Sequence, residues 1–83
     1  MHHRIESARA VGDMVLKARF ADGSTRLYDV SGLESEIPAF ANLREGDGFA
    51  ENLRVSAGGY GIVWNEKLDL SAEEIWRNGN AAD

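Results

Sequence analysis

From Met14 to Phe20 the chain alternates apolar with polar: Met14, Leu16, Ala18 and Phe20 fall on one side, and Val15, Lys17 and Arg19 on the other. A period of two marks a strand with one face buried. Ala21-Asp22-Gly23 then predicts a turn, and Ser24 to Val30 a second strand. The length of that turn sets the register. A two-residue Asp22-Gly23 loop would place Leu16 opposite Asp29 and Ala18 opposite Leu27. A three-residue loop, with Gly23 in the left-handed conformation, places Leu16 opposite Tyr28 and Met14 opposite Val30 instead. A slip of one residue moves every side chain to the other face, and only the longer loop keeps the apolar set together. The pattern therefore predicts a type I turn with a glycine bulge. Upstream, Ile5 to Ala10 reads as a weakly patterned first strand, set off by a turn at Gly12-Asp13.

Ser31-Gly32-Leu33-Glu34 has the serine-to-glutamate spacing of a capping box. In such a box the serine oxygen accepts from a first-turn N–H, and the glutamate reaches back to the serine's own N–H. The helix it opens must be short, because Ile37 precedes Pro38 and is steered away from helical backbone. Ala39 to Leu43 predicts one more turn with Phe40 and Leu43 facing in, and Glu45 to Gly48 predicts a loop. Leu53 to Ala57 and Tyr60 to Trp64 read as a second hairpin about Gly58-Gly59. A two-residue turn there pairs Ala57 with Tyr60, Val55 with Ile62 and Leu53 with Trp64, all on one face. Asn65 to Leu68 leads out. Ser71-Ala72-Glu73-Glu74 predicts a second capping box and a final helix, with Ala72, Ile75 and Trp76 inward and Gly79 as terminator. The expectation is a small single α+β domain of order β-β-β-α-β-β-α, in which an N-terminal strand and two antiparallel hairpins pack against two short helices. It would span residues 5–79, with loose ends at 1–4 and 80–83.

Size limits what such a domain can hold. For 83 residues the area scaling laws give about 13,000 Å² unfolded and about 4,900 Å² folded. Apolar burial then returns ~125 kcal/mol, and ordering the chain costs ~125 kcal/mol. That leaves no area to spare for a deep, dry catalytic cavity. The absence of cysteine excludes disulfides, thiolate metal sites and cysteine nucleophiles, and agrees with a reducing interior. No apolar run approaches the ~20 residues of a membrane span, and the amino terminus lacks a signal peptide's apolar stretch. A cytoplasmic protein with no membrane partner is expected. The net charge is −5, unevenly spread: +1 over residues 1–30 and −6 over residues 31–83. Nucleic acids need clustered cations, with stacking aromatics when single-stranded, so direct nucleic-acid binding is not expected.

The polar residues offer little catalytic chemistry. His2 and His3, with Glu6 nearby, are the only imidazoles, and a metal needs three or four ligands in fixed geometry. They read as part of a loose amino terminus. Glu45, Asp47 and Glu51 resemble a calcium-loop fragment, but the twelfth position from Asp47 is Gly58 rather than a bidentate glutamate. Gly58-Gly59-Tyr60-Gly61 joins two strands and is no phosphate cradle, which would end at a helix N-terminus; Gly61 there suggests close approach of another backbone or a bulky side chain. No serine occupies a nucleophile elbow. Asp29 and Asp69 are the remaining carboxylate candidates, with nothing to separate their pKa values for acid–base work, and Glu73-Glu74 suits the first turn of a helix. The reading is that of a non-enzyme without cofactor or metal. One feature is left over. The outer face of the first hairpin carries Val15, Lys17, Arg19, Thr25, Leu27 and Asp29, with apolar residues where a solvated sheet should be polar. Basic residues around apolar ones suit an interface rim and centre. Val15, Lys17, Arg19, Leu27 and Asp29 are thus the expected contacts to a protein partner or a second copy, and the acidic second half could meet a basic partner. The alternative is a small-ligand groove near Trp64, Asn65 and Asp69.

The order of pieces carries a resemblance. It runs from a strand ending Phe20-Ala21-Asp22-Gly23 to one ending Tyr28-Asp29-Val30. The segment Leu43 to Phe49, a Leu53-Arg54-Val55 strand, a strand ending in Trp64, and Leu68-Asp69-Leu70-Ser71 opening the last helix follow in turn. From about Ile5 to Gly79 this resembles the small bacterial family called domain of unknown function 2442. That family usually has a proline- and glycine-containing turn after the tryptophan, where this chain has Asn65-Glu66-Lys67-Leu68. The resemblance brings no catalytic residues. It implies a regulatory or antitoxin-like protein acting through a partner, since members are sometimes joined to a helix-turn-helix or encoded beside another small protein.

Overall fold

The computed structural model of the protein describes residues 3–82. Strands β1 (Ile5–Gly12), β2 (Val15–Phe20) and β3 (Thr25–Asp29) run antiparallel, and the apolar pattern sets their register. Leu16 stands opposite Tyr28. The turn between β2 and β3 is the longer one: the Phe20 N–H donates to the Ser24 carbonyl at 2.8 Å, the Gly23 N–H to the Phe20 carbonyl at 2.9 Å, and Gly23 has φ 91°. At the other end, the Val30 N–H donates to the Met14 carbonyl at 2.8 Å. β1 is longer than expected and carries irregularities between Ile5 and Ser7 and between Ala10 and Gly12.

Ser31 does not cap the next segment. Asp29 does so from two residues upstream, its Oδ1 accepting from the Ser31 N–H at 3.0 Å and from the Ser31 hydroxyl at 2.6 Å. Both residue types cap well, and the aspartate reaches the backbone first. The result is a single 3₁₀ turn over Val30–Leu33. A second 3₁₀ segment over Pro38–Arg44 buries Phe40 and Leu43, as the pattern required. A short helix, α1 (Gly48–Asn52), follows the expected loop and buries Phe49.

A second sheet, ordered β4-β5-β6, consists of β4 (Arg54–Val55), β5 (Gly61–Asn65) and β6 (Leu68–Ser71). Val55 pairs with Ile62 as expected. Its hairpin loop is longer than the two-residue turn, however, because the Ser56 N–H donates to the Gly61 carbonyl at 2.9 Å and leaves residues 57–60 outside the ladder. Gly59 lies against β1, where an added Cβ would sit 2.5 Å from the Ile5 carbonyl oxygen, so the loop needs room that a tight turn lacks. Tyr60 consequently turns outward and is 50% exposed, correcting its place among the inward residues. β6 was not expected, since Asn65 to Leu68 read as a lead-out and Leu68 to Ser71 as the opening of the last helix. Asn65 Oδ1 accepts from the N–H groups of Lys67 and Leu68 and closes the hairpin. Gly61 allows the close approach anticipated for it: a Cβ there would meet the Leu70 carbonyl oxygen at 2.6 Å.

Helix α2 (Ala72–Asn78) forms half of its capping box. Ser71 Oγ accepts from the Glu74 N–H at 3.0 Å, while the Glu74 carboxylate accepts from the Tyr28 hydroxyl at 2.7 Å instead of reaching back. The tail expected to be loose returns as β7 (Asn80–Ala82), which pairs with β3 and completes a sheet of order β1-β2-β3-β7. Gly79 makes this possible: a Cβ would sit 2.5 Å from the Ile75 carbonyl oxygen and 3.0 Å from that of Leu27. At the amino terminus His2 lies outside the described residues. His3, also expected to be loose, stacks on Trp76 at 3.9 Å and places Nδ1 3.1 Å from Glu73 Oε1.

The two antiparallel sheets and the short helices make an α+β fold. One cluster joins Leu16, Ala18, Phe20 and Tyr28 of the first sheet to Ile62, Trp64 and Leu70 of the second, with Phe40, Phe49 and Ile75 filling between them. The accessible surface, 5143 Å², lies close to the ~4,900 Å² that scaling anticipates.

Candidate functional site

The four-stranded sheet spends one face on the core, through Leu16, Ala18, Phe20 and Tyr28. Alternation sends the intervening residues outward. Pairing of β1 with β2 sets Arg9 opposite Lys17 and Ser7 opposite Arg19. Pairing of β2 with β3 continues those rows to Leu27 and Thr25 and sets Val15 opposite Asp29. β7 extends the first row to Asn80 and the second to Ala82. A depression of about 310 Å³ lies among Ser7, Ala8, Arg9, Lys17, Arg19 and Thr25. Leu27 and Val15 are half-buried beside the cations.

The charges on this face are unbalanced. Arg19 Nε reaches Glu6 Oε1 at 3.3 Å, both side chains being more than half exposed; such a pair contributes ~0–1 kcal/mol. Arg9 and Lys17 form no ion pair with any described residue. Like charges directly opposite on a sheet repel, and nothing among the described residues relieves this pair. Asp29, at the end of the face, already holds the Ser31 N–H and hydroxyl. Of the five residues expected at an interface, Val15, Lys17, Arg19 and Leu27 share the open face, while Asp29 serves the backbone turn. Arg9 was missed, although the alternation of Ser7 and Arg9 with Ala8 and Ala10 carried the signal.

The residues expected to line a ligand groove do not converge. Trp64 is buried at 5% exposure, its Nε1–H donates to the Phe49 carbonyl at 3.1 Å, and Phe40 and Phe49 each lie 5.7 Å from its ring. Asn65 closes the β5–β6 turn. Asp69 pairs across from Val63 on the outward side and lines an open depression of about 250 Å³ with Ser56, Tyr60 and Ser71. Strand alternation puts Trp64 and Asp69 on opposite faces.

Tyr28, Asp22 and Arg44 have displaced pKa values. Burial, and then the hydrogen bond to Glu74, push the Tyr28 phenol well above its ordinary range. The Ser24 hydroxyl, followed by the Ser24 N–H, holds the Asp22 carboxyl low. The Glu34 carboxylate raises the Arg44 guanidinium, which also lies 3.3 Å from Asp13. Each is accounted for by a local contact outside the sheet face. No group of three or more metal-ligating side chains converges among the described residues, and no helix is long and apolar enough to cross a membrane.

Residues 5–81 match the family model described as Protein of unknown function (DUF2442). The chain belongs to this family. The DUF2442 match begins with β1 and ends within β7, so it takes in strands of both sheets and the rows of the outer face up to but not including Ala82. It also spans the Asn65-Glu66-Lys67-Leu68 turn, where the Asn65 side chain does the work of closing the hairpin. No curated protein and no solved structure matches the chain.

Proposed function

We propose that the chain is a non-catalytic protein-interaction module, regulatory in role, that docks through the outer face of the β1-β2-β3-β7 sheet. The observation that carries this reading is the row Arg9, Lys17, Leu27, Asn80, in which two unpaired cations stand beside a half-buried leucine on the side of the sheet turned away from the core. An apolar centre edged by polar and basic groups has the make-up of a protein contact. Size supports the same reading, since a domain whose interior is filled by its own side chains has mainly its surface to offer.

The test is the apparent mass of the chain in a native extract of its own cells, by size-exclusion chromatography with light scattering. The wild-type chain is expected to elute above the monomer mass. Leu27→Asp puts a charge at the apolar centre, and Lys17→Glu reverses one at its side. Each is expected to return the chain to the monomer position, a loss of ~2 kcal/mol or more in binding, with the circular dichroism spectrum unchanged. A wild-type chain that elutes as a monomer contradicts the proposal, as does a Leu27→Asp chain that stays in the complex.

A further inference from the structure

The interaction reading leaves the partner's chemistry open, and the charge layout of the face narrows it. Resting on that reading, we propose that the occupant is an acidic segment of a different protein, whose carboxylates pair with Arg9 and Lys17 while an apolar side chain covers Leu27. In a chain of net charge −5, cations are scarce, yet two of them stand directly opposite each other and without an ion pair to any described residue. Like charges in that position cost the free sheet stability. A bound carboxylate relieves the cost, so the cations are more favourable in the complex than alone. The depression between Ser7, Arg9, Lys17, Arg19 and Thr25, about 310 Å³, gives a carboxylate a place between the cations, with hydroxyls of Ser7 and Thr25 at its edge.

Two other occupants fit less well. A twofold contact between copies is self-complementary and sets the same patch against itself, which on this face brings cations towards cations. A nucleic acid would find no aromatic ring in either row to stack on, and would approach a molecule whose net charge repels phosphate.

The experiment uses the full ¹⁵N-labelled chain and three probes: a synthetic peptide alternating glutamate with valine, the same peptide with lysine for glutamate, and a single-stranded oligonucleotide. The glutamate peptide is expected to shift the amides of Ser7, Arg9, Lys17, Arg19 and Thr25, and to bind more weakly as salt is added. Lys17→Glu and Arg9→Glu are each expected to weaken it ~10-fold, and Arg9→Gln less. Thermal unfolding of the free chain gives an independent readout: replacing the facing cations by an opposite-charge pair raises Tm by ~3 °C. Unchanged or lowered Tm in both charge-reversed variants overturns the proposal, as do shifts confined to the β5–β6 side. The oligonucleotide binding in place of the peptide, or a salt-sensitive growth in mass of the chain alone, overturns it by naming another occupant. Failure of the glutamate peptide while Leu27→Asp still releases the native complex refutes the acidic partner and leaves the docking face standing.

Discussion

Tyr28 ties the first sheet to the last helix. The residue is 7% exposed within the core, and its hydroxyl donates to Glu74 Oε2 at 2.7 Å on the first turn of α2. Burial and that hydrogen bond raise the phenol's pKa, and the charges of Glu74 and Glu36 add to the effect. The consequence for stability has a definite sign. In the unfolded chain the phenol ionises near pH 10, whereas the folded phenol keeps its proton there. The unfolded state therefore binds fewer protons, and stability falls as pH rises. Below about pH 10 the contribution is fully present. Tyr28→Phe is expected to cost ~1 kcal/mol near neutrality, and to flatten the alkaline loss seen in the wild type. Urea midpoints measured across that range check both effects. Equal steepness in the two proteins contradicts this account of Tyr28.

The two hairpin turns show how elements are held at different strengths. Gly23 and Gly59 both have positive φ, 91° and 79°. A Cβ on Gly23 meets nothing within 4 Å, whereas one on Gly59 would sit 2.5 Å from the Ile5 carbonyl oxygen and 3.0 Å from the Ile5 nitrogen. Gly23→Ala is thus expected to cost only the left-handed backbone strain, ~1 kcal/mol, and Gly59→Ala ~3 kcal/mol, because the second hairpin must also move away from β1. Chemical denaturation separates them, and equal losses contradict the close approach. The same contrast explains what could be read in advance. The first hairpin was legible because its alternation and its glycine agree on one register. In the second, Val55 opposite Ile62 was legible, but the loop was not, since contact with Ile5 decides it and that contact is distant in sequence. Asp29 displaced Ser31 as a cap because two good caps compete within one turn. β6 and β7 are four and three residues long, too short for a period to stand out, and β7 depends on Gly79 fitting against Leu27.

At the scale of the whole molecule, the two halves of the chain serve different surfaces. The −6 charge of residues 31–83 is carried, among the described residues, by the 3₁₀ segments, the short helices, the second sheet and the loops that join them. The outer face of the first sheet draws its charged groups from β1, β2 and, at its end, Asp29 of β3, and takes only Asn80 and Ala82 from that acidic half. Lys17, Arg19, Val15 and Leu27 could be placed on this face from the alternation of a single hairpin. Alternation with Ala8 and Ala10 marked the side of β1 that carries Arg9, but its place opposite Lys17 depends on how an irregular β1 pairs with β2. The most direct measurement is photo-crosslinking in the chain's own cells, comparing a photoreactive residue at position 17 with one at position 69, an exposed position on the second sheet. A protein adduct from position 17 and none from position 69 is the expected result. An adduct from position 69 alone would put the working surface on the opposite sheet and contradict the docking face.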